Sequence, residues 1–262
     1  MMQTPKNSKM QTATTSVLGV PLAVTDYAGA VALTRSWIEA DPAGVYAVAA
    51  ANTHVAALNR SDRDFAEALA RFDLIVPDGM PLLWAMNRRG AGLKDRVYGP
   101  TLMLHALAQP GVSHFLLGGT EELLECLSAR LRQRFPGVVL AGGYAPPFDP
   151  WPEGENERIF QKIAASGAQY IWVGLGCPKQ ERWIARHKAQ LPPGVYFGIG
   201  AAFAFHAGRV SQAPAWMQKR GLEWLYRFAA EPRRLWRRYV VYNTLFLGYL
   251  LAESLTGAFR KP

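Results

Sequence analysis

The sequence predicts an α/β fold: a mainly parallel, Rossmann-like sheet with helices on both faces, followed by a helical, basic C-terminal appendage. Two observations predict the sheet and a third the appendage. Short apolar runs alternate with helical patterns, as in successive βα units. The strand-to-helix junctions are rich in Gly, Pro and Asp, the residues that turn a buried strand into a helix start. From Pro214 onward the strand pattern stops, and Trp, Leu, Tyr and Phe recur at helical spacing among arginines.

In chain order, residues 1–15 are polar and read as a mobile N-terminal tail. The apolar run 17–24 is a strand, and 28–40 the first helix. Residues 45–50 form a second strand that ends at Asn52, Thr53 and His54, and 62–71 a second helix. The strand 74–76 runs into Pro-Asp-Gly-Met-Pro, where Gly79 permits a turn and Pro81 suits a helix start. A helix at 101–107 precedes the strand 114–117, which meets Gly118-Gly119 and then Thr120 as the N-cap of a helix at 121–134. The strand 138–141 and helix 156–165 follow. The strand 170–173 ends in Gly174-Leu-Gly-Cys-Pro-Lys-Gln-Glu, opening a helix at 179–190, and 195–199 is the last strand. The α/β domain thus spans 16–212 and the appendage 213–262.

The chain of 262 residues, 50% of them hydrophobic, can bury a sizeable core, and its 24 Gly and 18 Pro are dispersed, which excludes collagen-like and low-complexity classes. The net charge is +9. Much of the excess lies in 209–238, where Arg209, Lys219, Arg220, Arg227, Arg233, Arg234, Arg237 and Arg238 face only Glu223 and Glu231. Such a segment suits nucleic acid, anionic lipid or phosphorylated substrates. No nucleic-acid motif accompanies it. Arginine with Trp224, Trp236 and Tyr239 beside an apolar end reads as a membrane-surface element. Two cysteines, Cys126 and Cys177, have no metal-ligand spacing and fit a reducing compartment. There is no signal-peptide core, and no clean run of about 20 apolar residues. The expected location is cytoplasmic, peripheral on the inner face of the membrane.

Two junctions read as ligand sites, because glycines let backbone N–H groups approach a ligand and helix N-termini favour phosphate. One is Gly118-Gly119, which a plain tight turn explains about as well. The other joins Gly174 and Gly176 to Lys179, Gln180 and Glu181 at the carboxyl end of a strand. Neither is a Walker loop or a full dinucleotide fingerprint. Asp78, at the end of a buried strand, is placed where shielding makes a carboxylate a better base. Its commonplace reading is an Asx-turn or N-cap, and local sequence favours that one. Arg96 could bind phosphate or carboxylate in a bidentate way, or be a surface cation. A histidine such as His206 is more often packed than catalytic.

The ordered set Val76-Pro-Asp-Gly-Met-Pro, Arg96-Val-Tyr-Gly-Pro, Phe115-Leu-Leu-Gly-Gly, Val173-Gly-Leu-Gly-Cys-Pro-Lys-Gln-Glu, Gly198-Ile-Gly-Ala-Ala-Phe, His206-Ala-Gly-Arg-Val and Gly221-Leu-Glu-Trp-Leu-Tyr-Arg resembles the WecG/TagA/CpsF family, glycosyltransferase family 26. The resemblance covers roughly residues 17–240. It implies metal-independent, inverting transfer of a sugar from a UDP-sugar to a polyprenyl diphosphate-linked sugar in envelope or exopolysaccharide synthesis, with a β-linkage formed. It puts the general base on Asp78 and substrate contacts on Asn52, Arg96 and Gln180. The family's appendage docks on the membrane, and its arginines fall on Arg227, Arg234 and Arg237, facing the departing diphosphate. No cofactor is implied beyond the UDP-sugar donor. A homo-oligomer remains open. Ala50, Thr101 and Ala204 stand where relatives often carry Thr, Asp and Asp, which leaves the donor open among N-acetylmannosamine, its uronic acid and glucose. The alternative reading is a nucleotide- or nucleic-acid-binding regulator on the same sheet.

Overall fold

The structure, a computed structural model, describes residues 12–255, the side chains of Arg234 and Arg238 aside. Most of the expected tail therefore lies outside the described residues, but Thr14 and Thr15 already belong to a strand. The first apolar run does not form one strand. It folds back as an antiparallel hairpin, β1 (Thr14–Val17) and β2 (Val20–Ala23), with Val17 opposite Val20. The cause is the two-residue turn, where Leu18 (φ 51°) and Gly19 (φ 81°) are both left-handed, as a tight hairpin demands.

Six further strands form one parallel sheet: β3 (Val45–Ala51), β4 (Leu74–Pro77), β5 (Ser113–Gly118), β6 (Val139–Tyr144), β7 (Tyr170–Gly174) and β8 (Gly194–Gly198), in the order β4-β3-β8-β7-β5-β6. Alternate residues serve opposite faces. Tyr46, Val48, Leu116, Tyr170, Trp172 and Phe197 meet α1 (Tyr27–Ala40), α5 (Gly99–Leu107), α6 (Glu121–Arg134) and α9 (Ala201–His206). Their neighbours Ala47, Ala49, Phe115, Ile171, Val173 and Tyr196 meet α2 (Thr53–Ser61), α3 (Arg63–Leu69), α4 (Met80–Arg88), α7 (Glu155–Ser166) and α8 (Lys179–His187). The expected helix at 62–71 is α3, and Asn52 caps a separate helix before it, accepting from the N–H groups of His54 and Val55.

The appendage comprises α10 (Ala215–Lys219), α11 (Glu223–Ala230), α12 (Pro232–Trp236), a π-helical turn (Arg237–Val241) and α13 (Tyr242–Leu255). It returns to the sheet domain. Phe246 of α13 is buried in the core shared by α2 and β4. The Thr53 hydroxyl donates to Asn243 Oδ1 at 2.6 Å, and Arg89, the C-cap of α4, pairs with Glu253 at 2.7 Å.

One buried polar residue tests the core. His114 in β5 is fully buried, and the Trp172 indole N–H donates to its Nδ1 at 3.2 Å. An indole only donates, so the neutral ring carries its proton on Nε2. Burial lowers its pKa to about 4. The unfolded chain takes up this proton near pH 6.5 and the folded chain only near 4, so stability falls as pH drops through that window. The full effect is about 3 kcal/mol. Urea unfolding of His114→Asn, which keeps an acceptor for Trp172, is expected to lose that part of the pH dependence between pH 4 and 6.5 while carboxylate effects persist.

Candidate active site

The carboxyl ends of β3, β4, β7 and β8 open into a cavity of about 500 Å³, covered by α11, the π-helical turn and α13. Open α/β sheets bind ligands at this edge, and small-molecule sites occupy about 300–1,000 Å³.

Asp78 sits at the cavity wall directly after β4. Its N–H donates to the Ala51 carbonyl at 2.7 Å, which extends the β3–β4 ladder by one residue. Its Oδ1 accepts from the Gly99 N–H at 2.6 Å. Gly99 opens α5, so the carboxylate lies at the positive end of that helix. Asp78 is thus not a cap for the helix that follows it. Gly79 occupies the N-cap of α4 and no side chain caps it. The carboxylate instead ties the end of β4 to an element 21 residues further on.

Arg96 is buried and returns to the same strand end. Its Nη1 donates to the Asp78 backbone carbonyl at 3.1 Å, and its Nη2 to Glu223 Oε2 at 2.7 Å. The Tyr98 hydroxyl donates to Glu223 Oε1 at 2.6 Å, and the Arg96 guanidinium lies 4.4 Å from the Tyr98 ring centre. Burial opposes the Arg96 charge, but Asp78 and Glu223 outweigh it and raise its pKa. Burial, then the Glu223 carboxylate, pushes the Tyr98 phenol far above its usual range. Arg96 is therefore no surface cation.

Gly174, Gly176, Gln180 and Glu181 form the opposite wall. The Gln180 side chain is a strut: its Oε1 accepts from the N–H groups of Gly176 and Gly200, each at 3.1 Å, and its Nε2 donates to Glu181 at 2.8 Å. It joins the turns after β7 and β8. Asn52 and Thr53 line the cavity from the end of β3, and Thr53 also carries the bond to α13. Arg227 of α11 enters from above, its guanidinium 5.1 Å from the Phe205 ring centre.

Other predicted positions stand apart. Gly118 (φ 117°) is packed against Gly174, where a Cβ would come within 2.6 Å of the Gly174 carbonyl. Gly119 turns the chain into α6, and a Cβ there would meet Leu123 at 2.8 Å. This junction lies beside the cavity wall and is a tight βα turn, because β5 is one strand beyond β7. Lys179 points outward, paired with Asp149 at 2.6 Å and 4.2 Å over the Trp151 ring. A helix-start lysine next to an acidic, aromatic loop finds its partner there. Arg237 is exposed in the π-helical turn, and Arg234 falls in α12 with its side chain outside the described atoms. Sequence reasoning gave no role to Tyr98, Gly99 or Glu223. The signal was present: Glu223 is an acidic residue inside a basic segment. His54, at the strand end that the sequence marks with Asn52 and Thr53, lies beside Cys177 in the cavity wall (Nδ1 to Sγ 3.6 Å). Among the described residues, no group of His, Cys, Asp or Glu is arranged to hold a metal ion.

The profile described as "Glycosyl transferase WecG/TagA/CpsF family" matches residues 15–260. The N-acetylglucosaminyldiphosphoundecaprenol N-acetyl-beta-D-mannosaminyltransferase of Staphylococcus aureus strain NCTC 8325 / PS 47 is 31% identical over 193 residues, which covers 72% of this chain and 74% of that protein. Proteins of the same name from strains COL and MSSA476 match to the same extent.

The strut geometry makes a stability prediction. A Cβ on Gly200 would lie 2.7 Å from Gln180 Oε1 and 3.0 Å from the Gly176 nitrogen. Gly200→Ala is expected to cost about 1–3 kcal/mol in urea unfolding, the usual scale for overpacking. It should also speed amide exchange in the turn around Gly176.

Proposed function

The chain belongs to the WecG/TagA/CpsF glycosyl transferase family, and from that membership we propose that it transfers a sugar from a UDP-sugar to a polyprenyl diphosphate-linked sugar by a single inverting displacement. The observation that carries this reading is the Asp78 carboxylate, fixed at the sheet edge by Gly99 in a cavity that Arg227 of the appendage also lines. The relatives' name specifies an undecaprenyl diphosphate-linked acceptor and a β-mannosaminyl product, and a lipid-linked acceptor of that kind is proposed here.

Asp78 takes the proton of the acceptor hydroxyl as that oxygen attacks the anomeric carbon. The bond from that carbon to the diphosphate oxygen breaks as the new glycosidic bond forms, and the anomeric centre inverts. The bond to Gly99 sets the rotation of the carboxylate, so alignment is in place before the acceptor arrives. Negative charge develops on the leaving UDP, and Arg227 is placed to offset it, with Arg234 and Arg237 proposed to join it. Arginines in this role support a reaction without a metal. The donor is N-acetylmannosamine, its uronic acid or glucose, each as the UDP derivative. The cavity-lining Ala50 and Ala204 leave room that larger side chains would fill, and they are the first positions to vary in a donor screen.

The appendage supports a membrane-surface site. On α13, Phe246 faces the core, while Leu247 (64% exposed), Leu251 (62%) and Leu255 (79%) form an outer stripe at spacings of four. Elsewhere in the appendage Trp216, Arg233, Trp236 and Arg237 are exposed. An uncovered apolar stripe with arginine and tryptophan fits the interface of an anionic bilayer. Among the described residues, no helix is long and apolar enough to cross a membrane, so docking is proposed. The proposed place of work is the inner face of the cell membrane.

Three outcomes are expected. Asp78→Asn should lower transfer by at least about a thousandfold, a scale set by general-base catalysis plus the loss of alignment. UDP binding by calorimetry should stay within about threefold, a change of under 1 kcal/mol. Wild-type turnover should survive excess EDTA in the same assay. Independently, the pair Leu247→Glu and Leu251→Glu should abolish co-sedimentation with vesicles containing anionic lipid while leaving the thermal midpoint unchanged. Persistent vesicle binding would place the membrane contact elsewhere.

A further inference from the structure

Glu223 is the first residue of α11 and is buried at 9% exposure, as are Arg96 (8%) and Tyr98 (6%). Its carboxylate is shared between two donors, Arg96 Nη2 at 2.7 Å and the Tyr98 hydroxyl at 2.6 Å. Both partners also bear on Asp78. Arg96 holds the Asp78 backbone carbonyl through its other terminal nitrogen, and the residue after Tyr98, Gly99, holds the Asp78 carboxylate. One appendage side chain is therefore two contacts from the reacting carboxylate.

Two carboxylates and one guanidinium share this cluster. A buried guanidinium seeks a bidentate carboxylate. Here Arg96 turns its charged edge to Glu223 and meets Asp78 through the main-chain carbonyl. We propose that Glu223 is a positioning residue for the transfer reaction: it orients the Arg96 guanidinium, whose charge the Asp78 carboxylate also feels, and by its own charge offsets the arginine's pull on that carboxylate, which keeps it a competent proton acceptor.

This inference rests on Asp78 being the base of the proposed transfer. Other charged or titratable groups face the same cavity. His54 comes from α2, Cys177 and Glu181 from the turn after β7 and the start of α8, Arg227 from α11 and Tyr239 from the π-helical turn. The side chain that holds the Arg96–Tyr98 pair to α11 in the proposal is that of Glu223.

The test is Glu223→Gln in the full chain, which keeps size and removes charge, with Glu223→Asp as the charge-keeping control. Carboxyl carbon NMR follows the Asp78 titration in the protein without substrate. Steady-state kinetics give kcat, KM for the UDP-sugar and the acid limb of the pH profile. In Glu223→Gln the Asp78 midpoint and the acid limb should both move down by about one pH unit or more, the scale of an arginine beside an aspartate. The kcat should fall about tenfold with KM within about threefold, following the dependence of rate on base strength. Glu223→Asp should recover at least about half of the shift, since it restores the charge. An unmoved Asp78 midpoint in folded Glu223→Gln overturns the proposal, even where kcat or thermal stability falls, because a mere brace between α11 and the sheet would lower those alone. If Glu223→Gln does not fold, Tyr98→Phe, which removes one of the two anchors, should give a smaller shift of the same sign, and no shift overturns the proposal. The NMR arm needs no turnover. An absence of transfer to any lipid-linked acceptor by the wild-type protein would overturn the functional reading, with the Glu223–Asp78 coupling still decided by titration.

Discussion

The rest of the molecule depends on a parallel sheet covered on both faces. A strand buried on both sides has no side-chain direction left that meets water. Polar chemistry can emerge only where the strands end, and here the ends of β3, β4, β7 and β8 supply Asn52, Asp78, Gly176 and Gly200 to one cavity. Crossover helices must start at that same edge, so helix N-termini point their N–H groups toward it. The Asp78 carboxylate at the start of α5 uses that geometry.

The glycines at this edge serve the approach of one turn to another. Gly118 lies against Gly174, and Gly200 admits both the Gln180 oxygen and the Gly176 backbone. Such close contacts fix the relative height of β5, β7 and β8 and thereby the shape of the cavity wall. Gln180 then satisfies two turn N–H groups that strand pairing leaves over. Buried polar groups need such partners, and here satisfying them also rigidifies the site.

The appendage closes what the sheet leaves open. Thr53 to Asn243, Arg89 to Glu253 and Arg96 to Glu223 are three polar ties between the two parts, and Phe246 adds an apolar one. The first and third ties begin at cavity residues. The lining of the cavity and the seating of the appendage therefore share the same side chains. The proposed transfer to a lipid-linked acceptor would gain from that arrangement, since part of the cavity lining comes from the segment proposed to touch the membrane.

The strands and their alternation with helices were legible because buried parallel strands are local apolar runs, and the cavity-facing position of Asp78 followed from its place after such a run. Lys179 and the Gly118-Gly119 turn stand outside the cavity lining, and a polar helix start or a glycine turn looks alike in sequence whether it faces a ligand or a neighbour. Leu18-Gly19 was hidden inside an apolar run, and only its left-handed backbone turned one strand into a hairpin. The basic, aromatic C-terminal segment was visible as composition, but its one buried acid was not singled out. The sequence by itself determined the sheet, the carboxylate at its edge and the arginine-rich appendage, since each is encoded over a few consecutive residues. Only the tertiary structure decided which distant groups meet Asp78. Gly99, Arg96 and Glu223 reach it across 21, 18 and, through Arg96, a further 127 residues, and no local pattern specifies a contact closed over such lengths of chain.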